Sequence, residues 1–129
     1  MRVRTSFVSL LCLFACGGCG KKKSTDELIA DLQSPQKSER IKAVRLLPRH
    51  IGDAAQIVPA LIEALKDKEE DVRWSAAIGL GSFGDQAKDA IPALQAAQRD
   101  RDPRVREAAR VALPRIDPNL APKAAPSER

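Results

Sequence analysis

The side chains in this sequence that can do chemistry or hold a ligand are unevenly placed. All three cysteines, Cys12, Cys16 and Cys19, fall at the amino-terminal end. The rest of the chain has none, so it offers neither an internal disulfide nor a thiolate zinc site. His50 is the only histidine. It follows Pro48 in an expected loop, with no cysteine and no carboxylate pair converging on it, too few partners for acid–base or metal chemistry. Asp67, Glu69, Glu70 and Asp71 cluster just before an expected helix, where negative charge is favoured by the helix dipole. A cation site needs further ligands from elsewhere, and no second cluster provides them. There is no nucleophile motif and no glycine loop that would cradle a phosphate. The expectation is a protein that is not an enzyme and has no metal or cofactor. Trp74, the only tryptophan, remains as the side chain best suited to recognition, since Trp and Arg are favoured at interaction hot spots.

The cysteines sit in a leader. Met1 to Thr5 carries two arginines and no acid, and Ser6 to Ala15 is almost entirely apolar. A basic stretch followed by a short apolar one is the pattern of a secretory signal. The apolar run is too short to span a bilayer, which takes roughly 20 residues. Leu13-Phe14-Ala15-Cys16 resembles the lipobox of bacterial lipoproteins, with an aliphatic residue three before the cysteine and a small one just before it. The resemblance implies cleavage before Cys16 and acylation of that residue. Cys19, in Cys16-Gly17-Gly18-Cys19, is the alternative acceptor. The expected organisation is a signal peptide over 1–15 and a lipidated tether over 16–23. The residue after either cysteine is glycine (Gly17 or Gly20), so the aspartate that some bacteria use as an inner-membrane retention signal is absent. The expected location is the bacterial cell envelope, lipid-anchored and facing the periplasm or the exterior.

The formal net charge of +5 belongs to the ends of the chain. Residues 24–118 hold 15 Lys and Arg against 16 Asp and Glu, a net charge of −1. Nucleic-acid binding needs basic residues clustered on a folded surface, so this balance opposes it.

What positions these side chains is a repeat. Val58-Pro59-Ala60-Leu61 returns as Ile91-Pro92-Ala93-Leu94, and at the same offset Val72-Arg73 returns as Val105-Arg106. Leu28, Leu61 and Leu94 keep the same frame, as do Ala43, Ala76 and Ala109, and Leu47, Leu80 and Leu113. A fixed period of this length signals stacked units that cannot bury their apolar faces alone. Three units are expected, over about 24–57, 58–90 and 91–118, with a disordered Ala/Pro/Lys/Ser/Glu tail over 119–129. Ser24 and Glu27 form a capping-box pattern at the first helix. Pro59 is expected near the start of a helix, where a missing N–H costs little. Asp102-Pro103 reads as an N-cap followed by the first helical residue. Gly79 and Gly81 cost about 1 kcal/mol each against Ala in a helix interior, so the end of that helix is expected to fray or turn.

The apolar-Pro-Ala-Leu starts, Asp102-Pro103, the Val-Arg pairs and the following Ala-Ala and Leu-Gly steps resemble HEAT repeats, in particular the HEAT-like repeats grouped with phycobilisome lyase subunits. The resemblance covers about Thr25 to Ile116. It implies an all-α fold, an α-solenoid of about three antiparallel helical hairpins with a right-handed course. It also implies that the Val-Arg arginines, Arg73 and Arg106 with Arg40 as the weaker third, tie neighbouring repeats together. On a helical wheel Trp74 lies opposite the Val72 face, with Ile78 beside it. The matching positions are Ile41 and Arg45 in the first repeat and Glu107 and Val111 in the third. Trp74, Ile78, Arg45, Glu107 and Val111 are thus the expected protein-binding stripe.

The expected function is a membrane-anchored lipoprotein whose repeats bind or scaffold an unknown protein partner. Apolar end faces on so short an array would also make self-association possible. Analogy with the lyase group points instead to a subunit of a lyase or chromophore-handling enzyme. Fold alone does not license that function, and the body lacks a cysteine and a convincing acid–base pair.

Overall fold

The structure, a computed structural model, describes residues 22–121. The signal-peptide reading and the candidate acylation sites Cys16 and Cys19 lie outside the described residues, as does the tail beyond 121. Six α-helices follow one another among the described residues: α1 (Thr25–Asp31), α2 (Lys37–Leu46), α3 (Ala54–Ala64), α4 (Glu70–Ser82), α5 (Ile91–Ala97) and α6 (Pro103–Ile116). None of these residues forms a β-strand. No described helix is long and apolar enough to cross a membrane. Helices α1/α2, α3/α4 and α5/α6 pair as hairpins, and α4 packs between α2 and α6. The fold is an all-α solenoid.

Helices of 7 to 14 residues are marginal alone in water, so the shared core carries them. Each repeat contributes the same positions. Leu28, Leu61 and Leu94 are buried, as are Leu47, Leu80 and Leu113, with Ala43, Ala76 and Ala109 between them. Small residues at the helix contacts let the even-numbered helices approach closely. An ideal Cβ on Gly81 would stand 3.1 Å from the Ala112 Cβ and 3.2 Å from its Cα, and one on Gly79 3.0 Å from Pro48 Cγ. These two glycines do not fray the helix: α4 continues through both to Ser82. Their conformational cost is set against close packing. The turn comes at Gly84, which takes the left-handed φ of 55° and ends α4 in the manner of a helix C-cap.

The helix starts follow local chemistry. The Ser24 hydroxyl accepts from the Glu27 N–H while the Glu27 carboxylate accepts from the Ser24 N–H. The Asp102 carboxylate accepts from the Arg104 and Val105 N–H groups, and Pro103 opens α6. Pro59 departs from expectation: it lies inside α3, which begins at Ala54. Burial of Ala54, Ile57 and Val58 pulls the preceding turn into the helix. Pro59 itself faces solvent, as does Ala55, whose carbonyl loses its partner. At the other end, Asp117 terminates α6 and caps a short 3-10 turn, Pro118–Leu120. Residues 119 and 120 belong to this turn, and Leu120 packs against the core.

At two positions of the last described repeat, polar residues stand where the earlier repeats bury apolar ones. The buried Val44 and Ala77 are matched in the third repeat by exposed Arg110, and buried Leu32 and Leu65 by exposed Gln98.

Candidate functional site

Two arrangements stand out, one internal and one on the surface. The internal one is built on the Val-Arg arginines. Arg73 is 5% exposed, and its Nη1 donates to the Asp67 and Lys68 carbonyls at 2.9 and 3.1 Å. Its Nε and Nη2 donate to the two oxygens of Asp100 at 2.8 and 2.9 Å. Arg40 repeats the pattern one unit earlier. Its Nη1 reaches the Ser34 and Pro35 carbonyls, and its Nε and Nη2 bind Asp67 at 2.8 and 3.2 Å. Each guanidinium thus closes its own interhelical loop and grips the carboxylate of the next loop. Planar bidentate geometry favours Arg for this task. The Asp100 carboxyl is held below its ordinary range by the Arg73 guanidinium.

Arg106 departs from the inter-repeat role that resemblance implied. It makes the two carbonyl bonds, to Asp100 and Arg101, and is exposed. Among the described residues no carboxylate meets its fork. The acidic cluster also gains a partner set beyond the helix dipole. Besides Asp67 on Arg40, Glu69 and Asp71 lie 3.0 and 3.2 Å from Lys37 Nζ, and Asp71 lies 3.2 Å from Arg104. The sequence carries a signal for these pairs that the Val-Arg motif alone does not show: Asp67 and Asp100 stand one repeat apart, in the period of the arginines.

No group of three or more His, Cys, Asp or Glu among the described residues is placed to hold a metal. His50 Nδ1 lies 3.2 Å from the Thr25 hydroxyl, which also donates to the Asp53 carboxylate. This small network ties the start of α1 to the loop before α3.

The surface arrangement lies on the face of α2, α4 and α6. One groove of about 520 Å³ runs between α4 and α6, lined by Trp74, Ile78 and Gly81 on one side and by Pro103, Arg104, Glu107, Val111 and Arg115 on the other. A second, of about 320 Å³, runs between α2 and α4, lined by Val44, Arg45, Pro48, Trp74, Ser75 and Ile78. Trp74 and Ile78 form the ridge between the two. The five stripe residues named from the sequence, Arg45, Trp74, Ile78, Glu107 and Val111, all line one groove or both. Ile41 is half-buried against the core. Trp74 is half-buried too: it packs on the core and still borders both grooves. The exposed large apolar side chains among the described residues are Ile51, Ile78 at 42% and Val111 at 44%, and two of these three sit on this face.

The rim charges differ in how they are satisfied. Glu107 is bound by both Arg110 Nε and Nη2, at 2.9 and 2.8 Å, which holds its carboxyl below the ordinary range. Arg104 is shared between Asp71 and Asp102. Arg45 and Arg115 are exposed and form no ion pair among the described residues. The floor of the second groove holds Ser75, whose hydroxyl is buried without a hydrogen-bond partner.

Comparison with protein families matches residues 25–114 to HEAT repeats. A search of curated proteins finds no match.

Proposed function

From a chain that belongs to the HEAT-repeat family, we propose a lipid-anchored, non-catalytic interaction module of the bacterial cell envelope. HEAT repeats are generally protein-interaction modules. The observation that carries the reading here is the pair of apolar grooves on either side of the Trp74–Ile78 ridge, with Ile78 and Val111 left exposed. Exposed apolar side chains gathered on one face, with polar side chains around them, mark interaction surfaces. The partner is a protein, and its contact centres on Trp74. Self-association through the C-terminal end is disfavoured by Arg110 and Gln98 on that face.

The anchor rests on the leader. Acylation of Cys16, or of Cys19 in its place, would hold the groove face within reach of other envelope proteins, and two or more acyl chains anchor far more firmly than one. Labelled palmitate tests this half. Cells expressing the chain incorporate label, and a Cys16→Ser/Cys19→Ser double variant does not; label retained by that variant refutes the anchor. Crosslinking in intact cells tests the other half. Trp74→Ala, verified as helical by circular dichroism, loses the main crosslinked protein. Undiminished crosslinking by this variant removes the groove face from consideration.

A further inference from the structure

We infer that the groove face takes an acidic amphipathic helix lying across α2, α4 and α6, an inference that rests on the interaction reading above. Spacing is the first argument. Packed helices stand about 8–10 Å apart, and the two grooves lie one on each side of α4. A helix rises about 1.5 Å per residue, so positions i and i+7 are separated by about 10.5 Å on the same face. An apolar residue at i enters the first groove and one at i+7 the second, while i+3 or i+4 rests on the Trp74–Ile78 ridge. Helix-in-groove recognition uses this spacing of anchors. Two parallel furrows separated by an apolar ridge fit this spacing of anchors.

Charge is the second argument. Among the described residues the one acid lining either groove, Glu107, is already neutralised by Arg110. Arg45, on α2, and Arg115, at the end of α6, line opposite grooves and have no carboxylate among the described residues. The face therefore presents an apolar centre with an unmatched cation on each side. Two helix spacings, about 16–20 Å, separate α2 from α6. Carboxylates roughly 11 residues apart span about 16 Å and return to the same flank of a helix. A basic partner would face repulsion at both ends.

The chain supplies its own reporter, because Trp74 is its only tryptophan. The probe is a synthetic helical peptide lacking Trp, with Leu at i, i+3 and i+7 and two Glu at j and j+11 on one flank. It is titrated against the full chain in mild detergent. The expected result is a blue shift of Trp74 emission. Binding should be at least tenfold tighter than that of the same peptide with Lys in place of Glu, and should weaken at least tenfold when Pro replaces the central Leu. Arg45→Glu/Arg115→Glu, checked for native helicity, should reverse the preference between the Glu and Lys peptides. Should that variant unfold, Arg45→Gln/Arg115→Gln should erase the preference.

The inference is overturned if no peptide binds, if the Glu and Lys peptides bind equally, if the proline is without effect, or if the arginine variants keep the wild-type preference. Those failures leave the interaction reading intact as long as Trp74→Ala abolishes the cellular crosslink. Undiminished crosslinking by Trp74→Ala instead refutes that reading directly.

Discussion

Replacing Asp100 with serine isolates the charge of the buried Arg73 clamp. The first repeat supplies the template. Ser34 stands one repeat before Asp67 and two before Asp100, and its hydroxyl accepts from the Gln36 N–H as Asp100 accepts from the Asp102 N–H. Asp100→Ser therefore keeps the turn bond and removes the carboxylate. Arg73 is left 5% exposed with only its two loop carbonyls. Breaking a buried ion pair on one side costs about 3–5 kcal/mol, because the remaining charge is uncompensated. The retained turn bond places the expected loss near the lower bound, about 3 kcal/mol. In a domain of this size that lowers Tm by about 12–24 °C. Removing both partners, as Arg73→Met/Asp100→Ser, should be less damaging than the sum of the two single changes by at least about 1 kcal/mol.

The pH dependence has a definite sign. The Asp100 carboxyl is depressed in the folded state by its bond to Arg73. Its contribution is then complete above the unfolded carboxylate value, about 3.9, and is lost as pH falls through the lower folded value. The gap between wild type and Asp100→Ser should be constant from about pH 5 to 8 and narrow progressively as pH falls below about 4. Urea unfolding followed by circular dichroism across this range measures it. A loss under about 0.5 kcal/mol at pH 7, or single and double variants that add within about 0.5 kcal/mol, refutes the claim that the clamp couples the repeats.

Three further outcomes follow from packing and burial. Gly81→Ala should lower Tm although alanine is the better helix former by about 1 kcal/mol. The new methyl meets the Ala112 backbone at 3.2 Å, and overpacking costs about 1–3 kcal/mol. Gly52→Ala, with open space around it, should be neutral or stabilising by up to about 1 kcal/mol; calorimetry of the two side by side decides whether packing or propensity governs. Ser75→Ala should leave stability unchanged or raise it, because it removes a buried hydroxyl with no partner. A clear fall in Tm shows that the hydroxyl is bonded after all.

Much of this protein was legible without coordinates because a repeat states its core several times. Leu28, Leu61 and Leu94 share a frame, and a frame shared three times separates buried positions from chance apolar ones. The N-caps Ser24 and Asp102 were legible because capping is settled within a single helical turn. The stripe through Arg45, Trp74, Ile78, Glu107 and Val111 followed from helical periodicity applied to equivalent positions.

Other features were decided between repeats. Pro59 reads locally as a helix start, yet burial of Ala54 and Ile57 extends α3 ahead of it. Gly79 and Gly81 read as weak points of a helix, yet their value lies in what approaches them, Pro48 and Ala112, which are distant in sequence. The periodicity named Arg40, Arg73 and Arg106 alike. Only stacking distinguishes them, since a guanidinium finds its carboxylate on the following unit and, among the described residues, Arg106 meets none. Trp74 shows the same division. Sequence alone determined the helix and the side of it on which Trp74 stands, because helical periodicity is a local property. The tertiary structure alone decided that it forms a ridge between two grooves, because a groove exists only where two helices are held side by side.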